Sequence, residues 1–390
     1  MNIVVLMIDT LRYDYVGANG NDRIETPNMD RLCREGWCFD HYYAASYPTV
    51  PHRTDVLTGE YGGPVHTWQP LGWDRVTFPR VLANHGYATQ IIHDTPHLVN
   101  GGHNFDWPFH FWTQVRGGEV DRPWIDKLPD RWPSNWKQDP MWDADAPQPP
   151  HWADIPYTFA NRKRRDHDDW NCAKLFNAAS QWLHDNAGRE NFFLWVDCFD
   201  PHEPWDAPQE FMLKYDRREG YDGTIDPRSF SRRNDPDIPD EAKQHVAAQY
   251  AAKTAWMDHN LGKFLDAMDE MKMWDNTAVL LLSDHGTNVG ERGKFGKGFP
   301  VREQEGHIVM AIRTPAGDAG RSDMIVQPQD LWATMAGLAG VPGRPDIDSH
   351  DVLALAREGK HSPRRIALSG NSAEAWGDER RPCIITCFDG

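Results

Sequence analysis

Four short, mostly apolar runs constrain the fold of this chain more than any other feature of its sequence. They occupy residues 4–8, 88–92, 192–196 and 278–283. Runs of this length and composition suit strands that are buried on both faces of a sheet. Helical patterns separate or follow them at about residues 27–36, 77–85, 168–185, 241–271 and 327–341. This alternation predicts an α/β fold, with a mostly parallel sheet sandwiched by helices.

Polar residues directly follow three of the four predicted strands. Asp9 follows the first strand, the segment 197–202 follows the third, and Asp284 and His285 follow the fourth. Because open parallel sheets bind ligands at the carboxyl ends of their strands, we expect these three clusters to meet at one edge. The sequence therefore predicts a single functional edge before any motif is considered.

Composition and charge argue against several classes of protein. Of the 390 residues, 39% are hydrophobic and 25% are charged, which is typical of a globular chain rather than a disordered one. The net charge of −17 argues against binding to nucleic acid or anionic membranes, which attract basic surfaces. The sequence has no apolar run of the ~18 residues that a membrane span needs and no signal-peptide pattern at its N-terminus. The six cysteines lack disulfide or zinc-finger spacing, so we expect a cytoplasmic location.

Two of the polar clusters contain residue types that bind metals. Asp284 and His285 stand side by side at a predicted strand end, and Gly286 allows a tight turn, so both side chains can point at one cation. Asp9 is a third candidate ligand. Asp-His-Gly also occurs in ordinary turns, and an Asp after a strand is commonly a helix N-cap. Each fragment alone is therefore a weak signal for a metal site.

Thr49 lies between Pro48 and Pro51, just before a helical stretch that ends at Leu-Thr-Gly (57–59). A hydroxyl at a helix N-terminus, with the guanidinium of Arg53 four residues on, is placed to meet an anion. A threonine hydroxyl is a poor nucleophile unless a metal or a base helps to remove its proton. A simple capping role is the alternative for Thr49.

Several motifs occur along the chain in one order and at compatible spacings. They are the opening strand with its aspartate turn (5–14), the segment 26–32, the threonine motif (49–59), the histidine loop (199–204), and Ser-Asp-His-Gly (283–286) followed by Lys297. In this order they resemble the sulfatase branch of the alkaline phosphatase superfamily, and the resemblance covers nearly the whole chain. The family signature has its nucleophile two residues before a proline and four before an arginine. That spacing selects Thr49 here, with Pro51 and Arg53.

Two departures from the sulfatase pattern narrow the chemistry that the resemblance implies. Sulfatases use a Cys or Ser that is oxidised to formylglycine, whereas the β-carbon of Thr49 also bears a methyl group and cannot give that aldehyde. The resemblance then implies direct attack by the threonine oxygen, without formylglycine. A lysine common in sulfatases is also missing from the matching stretch 92–97, as it is in phosphonate monoester hydrolases, which keep the lysine that corresponds to Lys297. One lysine fewer favours a singly charged phosphodiester or phosphonate monoester.

The resemblance implies one divalent metal, held by Asp9, Asp284 and His285 and completed by Thr49. Many sulfatases carry a second carboxylate after the first strand, where this chain has Thr10. A nitrogen ligand and few carboxylates favour Mn²⁺ or Zn²⁺ over Ca²⁺, which prefers six or more oxygens.

The resemblance also implies roles around the substrate. Arg53 is expected to hold the nucleophile and the anion. His202 and Lys297 are expected to face the leaving group, with His202 as the general acid near neutral pH. The alternatives are a histidine that closes a Pro-rich turn and a solvated lysine. Further candidates for substrate binding are Thr95, His97 and His307.

The resemblance gives a domain organisation. Residues 1–345 are expected to form a sulfatase-like catalytic domain, and residues 346–390 a short C-terminal α+β subdomain with strands at 365–369 and 383–388. Relatives commonly continue into more strands, so the chain is either naturally short or truncated. The stretch 101–156 is rich in Trp, Pro, Asp and Gly. It is predicted to be a lid or specificity loop, or else an irregular loop that its Trp side chains pack.

The function that follows is a metal-dependent hydrolase of phosphoesters that uses Thr49 as nucleophile. Alternatives within the family are a sulfate-ester hydrolase and a threonine-dependent phosphoryl mutase. An inactive member that binds an anionic glycan or lipid headgroup is an alternative of another class. The substrate is expected to be a small-molecule, glycan or lipid-headgroup ester, and a homo-oligomer is left open. A second metal on Asp200, His202 and His307 is a further alternative, which Lys297 argues against.

Overall fold

The computed structural model describes residues 1–62, 68–119, 121, 157, 160–223, 238–371 and 384–389. The strands in these residues are β1 (Asn2–Ile8), β2 (Trp37–Tyr43), β3 (Ala88–His93), β4 (Phe111–Gln114), β5 (Phe192–Cys198), β6 (Thr277–Ser283), β7 (Asn288–Val289), β8 (Phe295–Gly296), β9 (His307–Ile308), β10 (Met310–Arg313), β11 (Gly320–Val326), β12 (Ala367–Asn371) and β13 (Ile384–Phe388). Within the described ranges, nine strands form one sheet in the order β11-β2-β10-β6-β1-β5-β3-β4, and β9 pairs with β2.

The sheet is mostly parallel, as the sequence predicts. β1 lies at its centre and is parallel to both β5 and β6, and β3 continues the parallel set between β5 and β4. β10 is antiparallel to its neighbours β6 and β2. The α/β fold class is therefore confirmed, with an antiparallel strand inserted on one side. β2, β4, β9, β10 and β11 are additions to the four predicted strands.

The helices cover both faces of this sheet. They are α1 (Pro27–Glu35), α2 (Thr49–Thr58), α3 (Phe78–Asn84), α4 (Asn171–Asp185), α5 (Gln209–Tyr215), α6 (Asp240–Glu270), α7 (Glu303–Gly306), α8 (Asp330–Ala339) and α9 (Val352–Arg357). Short 3₁₀ turns lie at Tyr13–Tyr15, Gly17–Asn19, Pro96–Leu98, His167–Asp169, Met273–Asp275 and Glu291–Gly293. The predicted helix 168–185 is thus a 3₁₀ turn followed by α4. None of the described helices has the length and apolar character to cross a bilayer.

Alternate side chains of β1 enter two separate hydrophobic clusters. Val4, Leu6 and Ile8 pack with side chains of α1, α4 and α6, whereas the residues between them pack with α2, α3 and α8 on the other face. Each fully buried aliphatic side chain contributes roughly 1.5–3 kcal/mol by its removal from water. Because β1 is clamped from both faces, its carboxyl end is a rigid support for the residues that follow it.

The C-terminal residues add a small antiparallel pair, β12 with β13, as the sequence predicts. The helix α9 contributes Val352 and Leu353 to the same hydrophobic cluster as α2 and α8, and Gly370 bridges to Ser46. The boundary at residue 345 stays a prediction. Of the Trp-rich stretch, residues 101–119 and 121 are described and include Trp107 and the exposed Trp112, and its other five Trp lie outside the described residues.

Candidate active site

Three carboxylates meet at the carboxyl edge of the central strands. Ile8 pairs with Cys198 of β5 and with Ser283 of β6, so Asp9, Asp197 and Asp284 come from neighbouring strand ends. All three are fully buried. The sequence predicts this convergence from strand order alone, and the parallel register explains it. The functional edge lies where open parallel sheets bind their ligands.

Asp9, Asp284 and His285 form a candidate metal centre. One ligand atom of each lies within 4.8 Å of the others. His285 Nε2 is 3.7 Å from Asp9 Oδ1 and 3.6 Å from Asp284 Oδ2. Thr49 Oγ1 lies 3.2 Å from the same nitrogen. Two carboxylates, one imidazole and one hydroxyl oxygen thus face one point, and this donor set matches a divalent transition-metal ion.

The protonation state of His285 suits a metal ligand. Its Nδ1 is 2.9 Å from the carbonyl oxygen of Gly286, which can only accept, so the ring proton is on Nδ1 and the lone pair is on Nε2. Burial lowers the pKa of His285 to about 4, which keeps the ring neutral at physiological pH. A backbone contact of this kind fixes both the tautomer and the orientation of a ligating histidine.

Arg53 connects the three carboxylates. Its Nε and Nη2 donate to the two oxygens of Asp197 at 2.8 Å each, Nη1 donates to Asp284 at 2.6 Å, and Nη2 donates to Asp9 at 3.1 Å. Nη1 also donates to the carbonyl of Thr49 at 3.1 Å. A guanidinium has five N–H groups, and all five are used. In this arrangement Arg53 holds the carboxylates, and its predicted contact with the substrate anion stays a prediction.

The charge of the cluster also fits a dication. When all three are ionised, Asp9, Asp197 and Asp284 carry three negative charges against one positive charge on Arg53, which leaves two in excess. Burial and then the neighbouring Asp284 raise the pKa of Asp9 well above its usual range. Burial alone would raise the pKa of Asp284, but His285 and Arg53 lower it below its usual range. A bound dication would remove the repulsion between these carboxylates.

Thr49 is the first residue of α2 and is almost completely buried. Pro51 is accommodated because it stands in the first turn, where a helix needs no N–H donor. The helix ends at Thr58 and is capped by Gly59, which has a left-handed φ of 71° and donates its N–H to the carbonyl of Asp55. The sequence pattern from Thr49 to Gly59 therefore places the hydroxyl and the free N–H groups of a helix N-terminus beside the metal centre.

A second polar cluster contains His202 and Lys297. Lys297 Nζ lies 2.6 Å from His202 Nε2 and 2.9 Å from Glu203 Oε1. His202 Nδ1 is 2.6 Å from the carbonyl oxygen of Glu203, so Nδ1 carries the ring proton and Nε2 accepts from Lys297. Burial lowers the pKa of His202 to about 4. This arrangement favours Lys297, rather than the predicted His202, as the group that carries the proton.

His97 and Glu119 extend this cluster. Glu119 Oε2 lies 3.8 Å from Nε2 of both His97 and His202. The ring of His97 contacts Trp68 and Phe199, with centroid distances of 5.1 and 5.7 Å. His97 is half-buried, so its predicted position beside the substrate stays a prediction with a favourable location.

Two other predicted substrate contacts have different surroundings. Thr95 is fully buried and donates to Asp197 Oδ1 at 2.6 Å, so it supports the carboxylate that holds Arg53. His307 stacks on Tyr13 with a centroid distance of 4.0 Å, and its Nε2 lies 2.6 Å from the carbonyl of Asp40. These partners lie outside both clusters, and the binding of substrate by His307 stays a prediction.

The alternative second metal site is not assembled. Asp200 pairs with Lys253 at 3.0 Å, and His307 is held at β9 by Asp40. His202 is occupied by Lys297. These three side chains therefore have separate partners among the described residues.

Sequence reasoning missed two acidic residues of the site. Glu203 directly follows the candidate residue His202, and this adjacency is the sequence signal that could have identified it. Glu119 follows two glycines within the Trp-rich stretch, where no local pattern points to a role. Its place beside His97 depends on the path of the chain after β4.

The buried centre of Asp9, Asp284 and His285 lies beside the hydroxyl of Thr49 at the edge of a mostly parallel sheet. This arrangement suits metal-assisted cleavage of an ester. The family model described as Sulfatase matches residues 1–341. The chain belongs to the sulfatase family, within the alkaline phosphatase superfamily, and is an ester hydrolase that acts on sulfuric or phosphoric esters. Members of the family depend on a divalent metal.

The comparisons with individual proteins support the same family. The arylsulfatase of Clostridium perfringens is 26% identical over 422 residues, which cover 100% of this chain and 84% of that protein. The iduronate 2-sulfatase of Mus musculus is 25% identical over 438 residues, covering 94% of this chain and 74% of that protein. The crystal structure of the phosphonate monoester hydrolase of Agrobacterium radiobacter superposes with a TM-score of 0.70 at 18% identity, covering 95% of this chain and 80% of that one. That likeness shows the fold.

Proposed function

We propose that this chain hydrolyses phosphoesters, that phosphodiesters or phosphonate monoesters are its preferred substrates, and that Thr49 is the nucleophile. The observation that carries the proposal is the position of Thr49 Oγ1, 3.2 Å from His285 Nε2 within the candidate metal centre. A threonine cannot be converted to the formylglycine aldehyde, because its β-carbon bears a methyl group. Its oxygen must therefore attack directly.

Asp9, Asp284 and His285 would hold one divalent metal, with Mn²⁺ or Zn²⁺ favoured over Ca²⁺ by the nitrogen ligand. The metal would supply Lewis-acid chemistry, which lowers the pKa of a hydroxyl group and offsets charge that builds on the substrate. Arg53 keeps both aspartates oriented toward it through the hydrogen bonds described above. His285 remains neutral because burial lowers its pKa to about 4, and the contact of Nδ1 with the Gly286 carbonyl leaves the Nε2 lone pair available to the metal.

The proposed reaction has two stages. Thr49 Oγ1 first loses its proton to bulk water, and the resulting alkoxide forms a bond to phosphorus while the bond between phosphorus and the leaving-group oxygen breaks. Lys297 Nζ gives a proton to the leaving-group oxygen. His202 Nε2 holds Lys297 in place by accepting its hydrogen bond. Water then hydrolyses the phosphorylated threonine, with the now neutral Lys297 taking the proton from water.

Charge near the leaving group supports a singly charged substrate. Glu203 and Glu119 lie beside Lys297 and His202, so the described residues place two carboxylates next to this lysine. A dianionic ester would meet repulsion from these carboxylates at close range. A phosphodiester carries one negative charge and is repelled less.

Sulfate-ester hydrolysis is the second candidate, and the names of the two relatives above favour it. Purified protein should be assayed on four p-nitrophenol esters: a phosphodiester, a phosphonate monoester, a phosphate monoester and a sulfate. Because the leaving group is the same, differences in kcat/KM report the acid part alone. We expect the phosphodiester or phosphonate to have the highest kcat/KM, and preference for the sulfate would overturn the proposal.

The same panel tests the remaining alternatives. A phosphoryl mutase would transfer the group to an added alcohol faster than to water, and an inactive binding member would turn over none of the four esters. The cytoplasmic location and the absence of formylglycine remain part of the proposal. Intact-protein mass spectrometry tests the second point, because an unmodified Thr49 gives the mass calculated from the sequence.

A further inference from the structure

The loop 199–206 carries His202 and Glu203, connects β5 to α5 and packs against the long helix α6. It has a hydrophobic anchor in Trp205, which is completely buried and packs against Tyr250 of α6 with a ring-centroid distance of 5.7 Å. At its start, the Phe199 N–H donates to Asp94 Oδ1 at 2.7 Å. These contacts hold the two ends of the loop, while its polar middle faces Lys297.

Lys253 provides an ionic anchor for the same loop. It lies in the middle of α6 and is only 1% exposed. Its Nζ is 3.0 Å from Asp200 Oδ1 and 2.7 Å from Asp206 Oδ1. Asp200 and Asp206 lie on either side of His202 in the sequence. The ammonium group of Lys253 therefore links the two ends of the loop.

Other residues complete this buried network. Asp206 Oδ2 accepts from Arg164 Nη1 at 2.8 Å, and both Asp206 oxygens lie 2.8 Å from the Tyr157 hydroxyl. The positive charges of Lys253 and Arg164 therefore balance the negative charges of Asp200 and Asp206. A buried charge that is removed from such a set leaves its partners uncompensated, so they would have to move or take up water.

We propose that Lys253 is a positioning residue for catalysis: it fixes the loop 199–206 so that His202 and Glu203 hold Lys297 where it protonates the leaving group. Lys253 does not touch the substrate. The inference rests on the proposed function through one point, the assignment of Lys297 and His202 to the leaving-group side. A positioning role differs from a purely structural role because it predicts that the loss of kcat in a Lys253 variant depends on the leaving group.

The test compares two diesters that differ only in the leaving group, methyl p-nitrophenyl phosphate and methyl phenyl phosphate. Phenoxide is the more basic leaving group and needs the proton more, and general acid catalysis contributes about 10²–10⁴-fold. In Lys253→Met, we expect kcat for the phenyl ester to fall at least about tenfold more than kcat for the p-nitrophenyl ester. KM for both esters should change little, and Lys253→Arg should recover part of the loss.

The matched control is Lys263→Met, on the same helix. Lys263 is at the surface, where it pairs with the exposed Asp168 at 3.2 Å, and its replacement should leave both rates unchanged. Equal losses for the two esters in a folded Lys253→Met protein, or no loss at all, would overturn the proposal. If that variant does not fold, Asp200→Asn carries the same comparison, because Lys253 then keeps Asp206.

Failure of the proposed function would look different. If wild-type protein hydrolyses the sulfate but not the diester, the phosphoester assignment fails while Lys253 is still tested on p-nitrophenyl and phenyl sulfate. The leaving-group dependence of the variant, compared with wild type on whichever ester is hydrolysed, then decides the positioning role.

Discussion

The variant Arg53→Lys distinguishes two roles for Arg53: orienting the buried carboxylates through hydrogen bonds, or contacting the substrate anion. The replacement keeps one positive charge among Asp9, Asp197 and Asp284 but changes the number of hydrogen bonds that the cation can donate. Arg53 makes five such bonds in the structure, and a lysine ammonium has three N–H groups on one nitrogen. At least two bonds to buried acceptors are therefore lost.

The expected cost follows from that count. A hydrogen bond to a charged group contributes about 1.5–3 kcal/mol, so two lost bonds correspond to roughly 3–6 kcal/mol. Relaxation of the site around the lysine side chain offsets part of this cost. We therefore expect a loss of about 3 kcal/mol in the free energy of unfolding. Because Arg53 orients two candidate metal ligands, the metal affinity should also fall by about 10–100-fold.

Guanidinium unfolding in excess chelator measures the first effect without a contribution from metal binding. A competition titration with a chromophoric chelator measures the second. The control is Arg34→Lys on α1, where the side chain is 68% exposed and should lose little stability. The reasoning is refuted if Arg53→Lys keeps wild-type stability and metal affinity while KM for the anionic ester rises, since Arg53 would then contact the substrate.

Three further predictions address the proton donor, a buried acid and the metal. Lys297→Ala should lower kcat for the phenyl diester by about 10²-fold or more and spare the p-nitrophenyl diester, whereas Lys272→Ala should change neither rate; equal loss on both esters would contradict this role. Burial raises the pKa of Asp258 to about 7, so its contribution to stability is present below the unfolded carboxyl pKa and is lost as the pH rises toward 7. Asp258→Asn should therefore become more stable relative to wild type between about pH 4 and pH 7, by up to about 1.4 kcal/mol per pH unit, in denaturant titrations; a constant difference over this range would exclude the raised pKa. Removal of metal should abolish turnover, and Mn²⁺ or Zn²⁺ should restore it better than Ca²⁺ in metal-replacement assays.

The central strands were predictable because their sequences carry one continuous signal. β1, β5 and β6 are apolar along nearly their whole length, as strands buried on both faces must be. β2 was missed because Asp40 and His41 interrupt its apolar pattern, and β11 because its first half is polar and partly exposed. These strands lie toward one side of the sheet, where burial is less complete and periodicity is weaker.

The convergence of the candidate metal ligands was predictable because these residues follow strands whose order the fold class implies. A parallel sheet alone predicts that the strand ends meet at one edge, where Asp9, Asp284 and His285 lie. The hydrogen bonds of Arg53 were not predictable, because its three carboxylate partners come from the ends of separate strands and depend on their register. The surroundings of His307 were not predictable for a related reason: its ring direction is set by β9 and by stacking on Tyr13, which no motif records.

The nucleophile assignment is the central claim, and kcat/KM of Thr49→Ala on the preferred aryl phosphodiester tests it most directly. Thr49→Ser is the matched variant, because it keeps the hydroxyl group, and metal content and thermal stability are measured for both proteins. We predict that Thr49→Ala loses roughly 10³-fold or more of the activity, while Thr49→Ser keeps a measurable part of it. A metal-loaded, folded Thr49→Ala protein with activity within tenfold of wild type would show that Thr49 does not attack the substrate.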